Sequence, residues 1–205
     1  MPARPAFAPP AGFALHPQAL DRAAQAALAA EVLAAAEGAP FYRAITPGGR
    51  PMSVMSTNLG PLGWVSDAGG YAYVGRHPVT GQPWPAIPGA LLDLWSRFAD
   101  PDRPPDACLV NLYREGARLG LHQDRDEADF TAPVLSVSLG DTAVFRLGGT
   151  RRDEPTRSLR LASGDVCVLA GAARLAFHGV DRILPGSSSL LPGGGRLNLT
   201  LRRAA

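Results

Sequence analysis

Lysine is absent from this sequence, so all 20 of its basic side chains are arginine. Set against 18 acidic residues, they leave a formal charge of +2. So even a balance neither requires nor excludes a polyanionic partner. Alanine, glycine and proline are abundant alongside the arginine, which points to codon bias rather than to a nucleic-acid-binding composition. Cysteine is scarce, with only Cys108 and Cys167. Each sits inside an apolar run, ACLVNLY and DVCVLAG, and reads as a buried thiol rather than part of a disulfide framework or zinc knuckle. Such thiols suit the reducing cytoplasm. No apolar run reaches the roughly 18 residues that a membrane helix needs. The start, MPARPAFAPPAGF, is broken by proline and lacks the apolar centre of a signal peptide, so no leader is expected.

What is present is an ordinary globular composition, 46% hydrophobic over 205 residues, enough for one domain with a real core. The domain is expected to span 1–205, with no internal repeat, no linker and no sign of an obligate oligomer. An Ala-rich segment from Gln18 to Ala36 predicts a surface amphipathic helix. A second helix is predicted over Ala90 to Phe98, where Leu91, Trp95 and Phe98 recur at helical spacing. Between them runs a Gly/Pro-rich stretch with most of the aromatics: Phe41, Tyr42, Trp64, Tyr71, Tyr73 and Trp84. It holds strand-like pieces (MSVMSTNLG, GYAYV) and turn signals (ITPGGRP, WVSDAGGY). From Ala107 onward short apolar runs follow one another without a helical period. These predict an antiparallel sandwich or jelly roll. The expected fold is mainly β with flanking helices (α+β). A jelly-roll (double-stranded β-helix) core covers about 107–203, and a helical and aromatic part covers about 1–100.

The sharpest chemical feature is His122-Gln-Asp124 with His178 far downstream. On a strand or at its end, an H-x-D pair turns both side chains to one side of the backbone. Two imidazoles and one carboxylate on one face leave coordination positions free, an arrangement suited to non-haem Fe(II). Zinc can use similar ligands, although a structural zinc site is closed and usually Cys-rich. By itself the H-x-D pair is a weak signal. His16 and His77 each precede proline in loop-like sequence and read as surface residues.

The segment GRLNLTLRR adds a second signal. In a strand, Arg196, Asn198, Thr200 and Arg202 share one face and Leu197, Leu199 and Leu201 the other. On a half-exposed strand the polar face meets solvent. Inside a jelly roll, two such arginines must face an anion, because a buried unpaired guanidinium is costly. Arginine grips carboxylates with paired donors, which suits a dicarboxylate. In ACLVNLY, Asn111 and Tyr113 share a face and can add hydrogen bonds to the same ligand. Metal set and anion cradle together imply Fe(II) with a 2-oxo dicarboxylic acid.

With these residues in view, TPGGRPMSV, LGWVSDAGGYAY, PWPAIP, PDACLVNLYREGARLGLHQDRDE, PVLSVSLGDTAVFRLGG, RLAFHGV and RLNLTLR closely resemble the bacterial AlkB family. The similarity runs in order from about Phe41 to Arg202. The family comprises Fe(II)- and 2-oxoglutarate-dependent dioxygenases that reverse N-alkyl damage on nucleic-acid bases. The resemblance implies that His122, Asp124 and His178 hold iron, and that Asn111, Tyr113, Arg196, Asn198 and Arg202 hold 2-oxoglutarate. It implies that Trp64, Tyr71 and Tyr73 belong to a lid over the active site, and that Asp126 and Arg152 contact the substrate nucleotide. The implied reaction removes the alkyl group from bases such as 1-methyladenine and 3-methylcytosine in DNA, single-stranded by preference. RNA is open as a second substrate; formaldehyde, succinate and CO₂ are released. Aromatic faces suit a base taken out of its stack. Arg125 stands where the family frequently has Lys, and Ser56 where a larger Met often lies. Read from the residues alone, Trp64 and the tyrosines pack a core or staple a loop; the lid role comes from the resemblance. Arg152 could be merely solvated, and Asp126 could orient a neighbouring ligand. A dioxygenase acting on protein or a small molecule, and a non-catalytic binding module, are the competing readings.

Overall fold

Short alternating runs, each stopped by Gly, Pro or a charge, build a β-rich architecture in the computed structural model, which describes residues 9–205. Most of the proline-broken start read as lacking a leader lies outside these residues. In chain order the elements are β1 (Phe13–His16), α1 (Arg22–Gly38), β2 (Met55–Leu59), β3 (Gly63–Asp67), β4 (Gly70–Val74), α2 (Gly89–Phe98) and β5 (Ala107–Tyr113). There follow β6 (Leu119–His122), β7 (Val134–Gly140), β8 (Ala143–Leu147), β9 (Arg157–Leu161), β10 (Val166–Leu169), β11 (His178–Ile183) and β12 (Arg196–Arg202). A larger sheet runs β1-β10-β7-β12-β5-β2, a smaller one β6-β11-β8-β9, and β3-β4 is a separate hairpin. The strand pairs are antiparallel, as in a jelly roll.

Strand β12 lies in the middle of the larger sheet, and all seven of its residues are buried. Its leucines 197, 199 and 201 pack with Leu28 and Val32 of α1 and Leu91, Leu94 and Trp95 of α2. The opposite face of the sheet meets the smaller sheet, where Tyr113, Val134, Phe145, Leu147, Leu169 and Val180 form a second apolar cluster. The polar alternate residues of β12 therefore point between the sheets, not to solvent. Cys108 belongs to the helix-side cluster and Cys167 to the inter-sheet cluster. Both are free thiols, and burial pushes them up to about 12 and about 11.

Several local readings change. The first helix starts at Arg22 rather than Gln18, because the Asp21 carboxylate accepts from the Ala24 amide at 2.8 Å and caps it. FALH, which the sequence pattern does not single out, is an edge strand on β10. His16 lies in it, its ring stacked on Phe98 at 4.3 Å between centroids. His77 is not a surface residue at all. It is buried, with Nε2 2.7 Å from the Pro40 carbonyl and Nδ1 accepting from the Val79 and Thr80 amides. No helix among the described residues is long and apolar enough to cross a membrane.

Candidate active site

The H-x-D motif straddles a strand end: His122 is the last residue of β6, and Asp124 follows it in the loop. His178 opens β11 and is the direct cross-strand partner of His122, which brings the two rings to 4.5 Å between centroids. Gly179 makes that close pairing possible. A Cβ there would meet the Leu119 and Gly120 carbonyl oxygens at 2.6 and 2.8 Å. The Nδ1 atom of each histidine hydrogen-bonds a backbone carbonyl two residues earlier, His122 to Gly120 at 2.9 Å and His178 to Ala176 at 3.0 Å. A carbonyl can only accept, so both Nδ1 atoms carry a proton, which leaves Nε2 as the ligating atom of each ring. Each Nε2 lies 3.8 Å from a different oxygen of Asp124. The three ligand atoms lie within 4.8 Å of one another, close enough to share one cation.

Charge at this point is tightly controlled. Burial disfavours the Asp124 carboxylate, but Arg202, at 2.9 Å from Oδ1, outweighs it and holds the group well below the usual carboxylate range. Burial lowers His178 to about 4, so it is a neutral lone-pair donor at neutral pH. Asp124 Oδ2 is buried and accepts no hydrogen bond. An anionic oxygen left bare beside two imidazole Nε2 atoms fits a divalent cation.

Beside this cluster, the inward face of β12 forms a polar ribbon with its neighbours. Arg196 pairs across the sheet with Tyr113, and Asn198 with Asn111. On the other flank Asn198 faces Ser138 and Thr200 faces Ser136, while Ser56 of β2 donates to Asn111 Oδ1 at 2.7 Å. Arg196 is completely buried, its guanidinium carbon 5.3 Å from the Tyr113 ring centroid. Among the described residues, only its Nη2 has acceptors, Ser138 Oγ at 2.9 Å and Asn198 Oδ1. Nε and Nη1 have no partner, and among the described residues no carboxylate pairs with this guanidinium. A buried cation left in this way is costly and suits an anionic ligand.

The 2OG-Fe(II) oxygenase superfamily profile matches residues 12–202. An alpha-ketoglutarate-dependent dioxygenase AlkB homolog of Caulobacter vibrioides is 71% identical over 193 residues, 94% of this chain and 88% of its own. The alpha-ketoglutarate-dependent dioxygenase AlkB of Escherichia coli is 46% identical over 173 residues, 82% and 80% of the two chains. The chain belongs to the AlkB family of 2OG-Fe(II) oxygenases. It is a dioxygenase whose cofactors are Fe(II) and 2-oxoglutarate (alpha-ketoglutarate), in keeping with the bare carboxylate oxygen and the unpaired arginine. The solved structure of OsALKBH1 superposes with a TM-score of 0.76 at 32% identity, covering 97% of this chain and 100% of that one.

In this AlkB-family chain a cleft of about 320 Å³, lined by His122 and Asp124, opens beside the His-Asp-His cluster, within the size range of ligand sites. Hairpin β3-β4 supplies one wall with Trp64, Tyr71 and Tyr73. Trp64 and Tyr71 stack at 5.4 Å with their planes 22° apart, and Tyr71 is half exposed. Trp64 Nε1 donates to Asp126 at 2.8 Å, so the two residues that sequence placed separately are in contact. Arg152 stands apart from the cleft wall. It is exposed, its guanidinium 5.6 Å from the Phe177 ring centroid and hydrogen-bonded at 3.2 Å to the carbonyl of Leu121, next to His122.

Two charged residues at the site escaped the sequence reading. Glu127 and Arg174 are both buried and paired at 3.1 Å. Arg174 also donates to the Asp124 carbonyl at 2.7 Å and the Ala132 carbonyl at 2.8 Å, pinning the metal-side loop. Arg202 Nε lies 3.2 Å from Glu127 Oε1, an ion pair off the hydrogen-bond line. The loop DRDEADF reads as solvated charge, and nothing in its pattern marks Glu127 as the inward member.

Proposed function

We propose that this enzyme removes alkyl groups from nucleic-acid bases, with 1-methyladenine and 3-methylcytosine in single-stranded DNA as preferred substrates and RNA as a second polymer. It works as a monomeric one-domain enzyme in the cytoplasm. The observation that carries the reading is an aromatic hairpin forming one wall of a nucleobase-sized cleft that is also lined by His122 and Asp124 of the His-Asp-His cluster. Flat aromatic faces repay part of the cost of unstacking a base, at about 1–3 kcal/mol per stacked base. The relatives lend support, being alpha-ketoglutarate-dependent dioxygenases and, in Arabidopsis thaliana and mouse, a DNA N(6)-methyladenine demethylase and a nucleic acid dioxygenase.

His122, Asp124 and His178 would hold Fe(II), and Arg196, Tyr113, Asn198, Asn111 and Arg202 would hold 2-oxoglutarate. The chemistry this group supplies when bound is activation of O₂ to oxidise an N-alkyl carbon, which departs as formaldehyde while the oxo acid becomes succinate and CO₂. The chain's own work is ligation, orientation and exclusion of water. Arg202 keeps Asp124 anionic, and the two Nδ1 contacts aim both imidazoles. Arg196 receives a carboxylate in a dry recess, where each charge-assisted hydrogen bond contributes about 1.5–3 kcal/mol. Trp64, Tyr71 and Tyr73 receive the base, Asp126 accepts from its edge, and Arg152 meets the backbone phosphate.

Formaldehyde release from oligonucleotides carrying one lesion each, with Fe(II), 2-oxoglutarate and O₂, tests the reading, and His122→Ala is the control. Turnover of the lesion by the natural chain but not by the variant is expected. Decarboxylation of 2-oxoglutarate with no lesion consumed overturns the substrate assignment.

A further inference from the structure

Glu127 is a carboxylate with no assigned role, yet its side chain is only 2% exposed and every oxygen is engaged. Oε1 accepts the Tyr73 hydroxyl at 2.6 Å and faces Arg202 Nε at 3.2 Å, while Oε2 accepts from Arg174 Nη2 at 3.1 Å. Three separate parts of the fold thus meet at one side chain: hairpin β3-β4, the end of β12, and the turn that follows β10. Two of these then continue to Asp124. Arg202 Nη2 donates to its carboxylate, and Arg174 Nη1 to its backbone carbonyl.

The hairpin needs such a fastening. It forms a two-stranded sheet of its own, and an isolated pair of strands is marginal in water. One end is tied by Asn58, whose side chain hydrogen-bonds both the amide and the carbonyl of Trp64, and by Trp84, which donates to the Val74 carbonyl. On the cleft side the ties are the cross-strand partners Trp64 and Tyr73, which donate to the consecutive carboxylates Asp126 and Glu127. Asp126 is exposed, so water competes for the Trp64 bond; Glu127 is buried, so the Tyr73 bond is the durable one. Burial also raises the Tyr73 phenol far above its ordinary value, which keeps it a donor at any working pH.

We infer that Glu127 is a positioning residue that docks the β3-β4 hairpin onto the metal-side loop, so that the cleft wall and the Asp124 carboxylate are set by one shared contact. The cleft geometry is then a property of the network rather than of the hairpin. The role assigned to the cleft rests on the proposed function; the docking itself does not.

Tyr73→Phe, Glu127→Gln and the double variant test this in the full chain. Each single change is expected to speed hydrogen exchange of the amides in 63–74 and to raise KM for a 1-methyladenine oligonucleotide, each about tenfold. The double variant should be no worse than the worse single one, since Glu127→Gln leaves the Tyr73 hydroxyl only an uncharged, weaker acceptor and Tyr73→Phe removes the donor, so both act on the same bond. Effects that multiply in the double variant overturn the shared contact. Glu127→Gln, but not Tyr73→Phe, should also weaken Co(II) binding severalfold, because Arg202 then leans wholly on Asp124. Unchanged Co(II) affinity in Glu127→Gln overturns the link to the metal side. Exchange and Co(II) binding are read without substrate. Expected results there, with no turnover of the oligonucleotide by the natural chain, sink the substrate reading and leave the docking role standing.

Discussion

Arg196 and Arg202 sit at opposite ends of one strand face, both buried, and their surroundings are opposite in kind. Arg202 is enclosed by Asp124 and Glu127, and its charge is matched from within the chain. Nearby carboxylates raise it despite burial, whereas burial lowers Arg196, which has no anionic partner of its own. A buried cation answered by the protein is wiring, and a buried cation left unanswered is a receptor. Within the proposed oxo-acid site the same residue type on the same strand therefore differs in what it adds: Arg202 is tied to the metal-side carboxylate, and Arg196 is left free for a carboxylate of the ligand.

The contrast can be broken most severely at the wired end. Arg202→Leu strands Asp124 and Glu127 and is expected to lower stability by about 3–5 kcal/mol in urea unfolding. An unchanged midpoint would erase the distinction between the two arginines. Acid should act on the same end in metal-free protein. His178 titrates at about 4 when folded, below its ordinary 6.5, so the unfolded chain takes up the proton first. Stability from this group is full above about pH 6.5 and drains as the pH falls toward 4, up to about 3 kcal/mol in all. Asp124, held low, acts in the same direction only below the ordinary carboxylate range. Urea midpoints at pH 7.5, 5.5 and 4.5 that do not fall would contradict this sign.

At the receptor end, Arg196→Met is expected to weaken 2-oxoglutarate binding about 100-fold while leaving the urea midpoint level or higher. A large loss of stability would mean that the arginine is matched internally after all. The smallest effect is expected outside both ends. Arg152→Ala should weaken binding to single-stranded DNA a few fold and reduce the slope of log affinity against log salt by about one. A titration that leaves the slope unchanged removes Arg152 from the backbone contacts.

Legibility in the sequence followed the range of the interactions. The polar face of β12 is visible because strand alternation is local, and the inward turn of that face follows from its arginines. His122, Asp124 and His178 are visible as residue types, though only the cross-strand register of β6 and β11 brings them together. Glu127 and Arg174 are not visible. Each is buried by a partner 47 residues away in the chain, and a charge in a polar loop carries no mark of that. His77 misled for the same reason: its ring is enclosed by the distant Pro40 carbonyl as well as by its own turn. Asp21, which falls inside the helix predicted from Gln18, is its cap. Short-range competition between a side chain and the backbone is easily mistaken for a polar break.

The order of strands in the larger sheet has a kinetic consequence. Phe13 of β1 pairs with Leu169 of β10, and β12 is threaded between β5 and β7, so most of its closures join distant parts of the chain. Such a sheet folds slowly, because the entropy of long loops is lost before contacts reward it. The arginines of β12 and the amide of Asn111 come into register only when those closures are complete, and the two histidines only when β11 has closed on β6 in the smaller sheet. A partly folded chain would therefore hold neither the metal nor the oxo acid properly, and oxygen activation is confined to molecules that have finished folding.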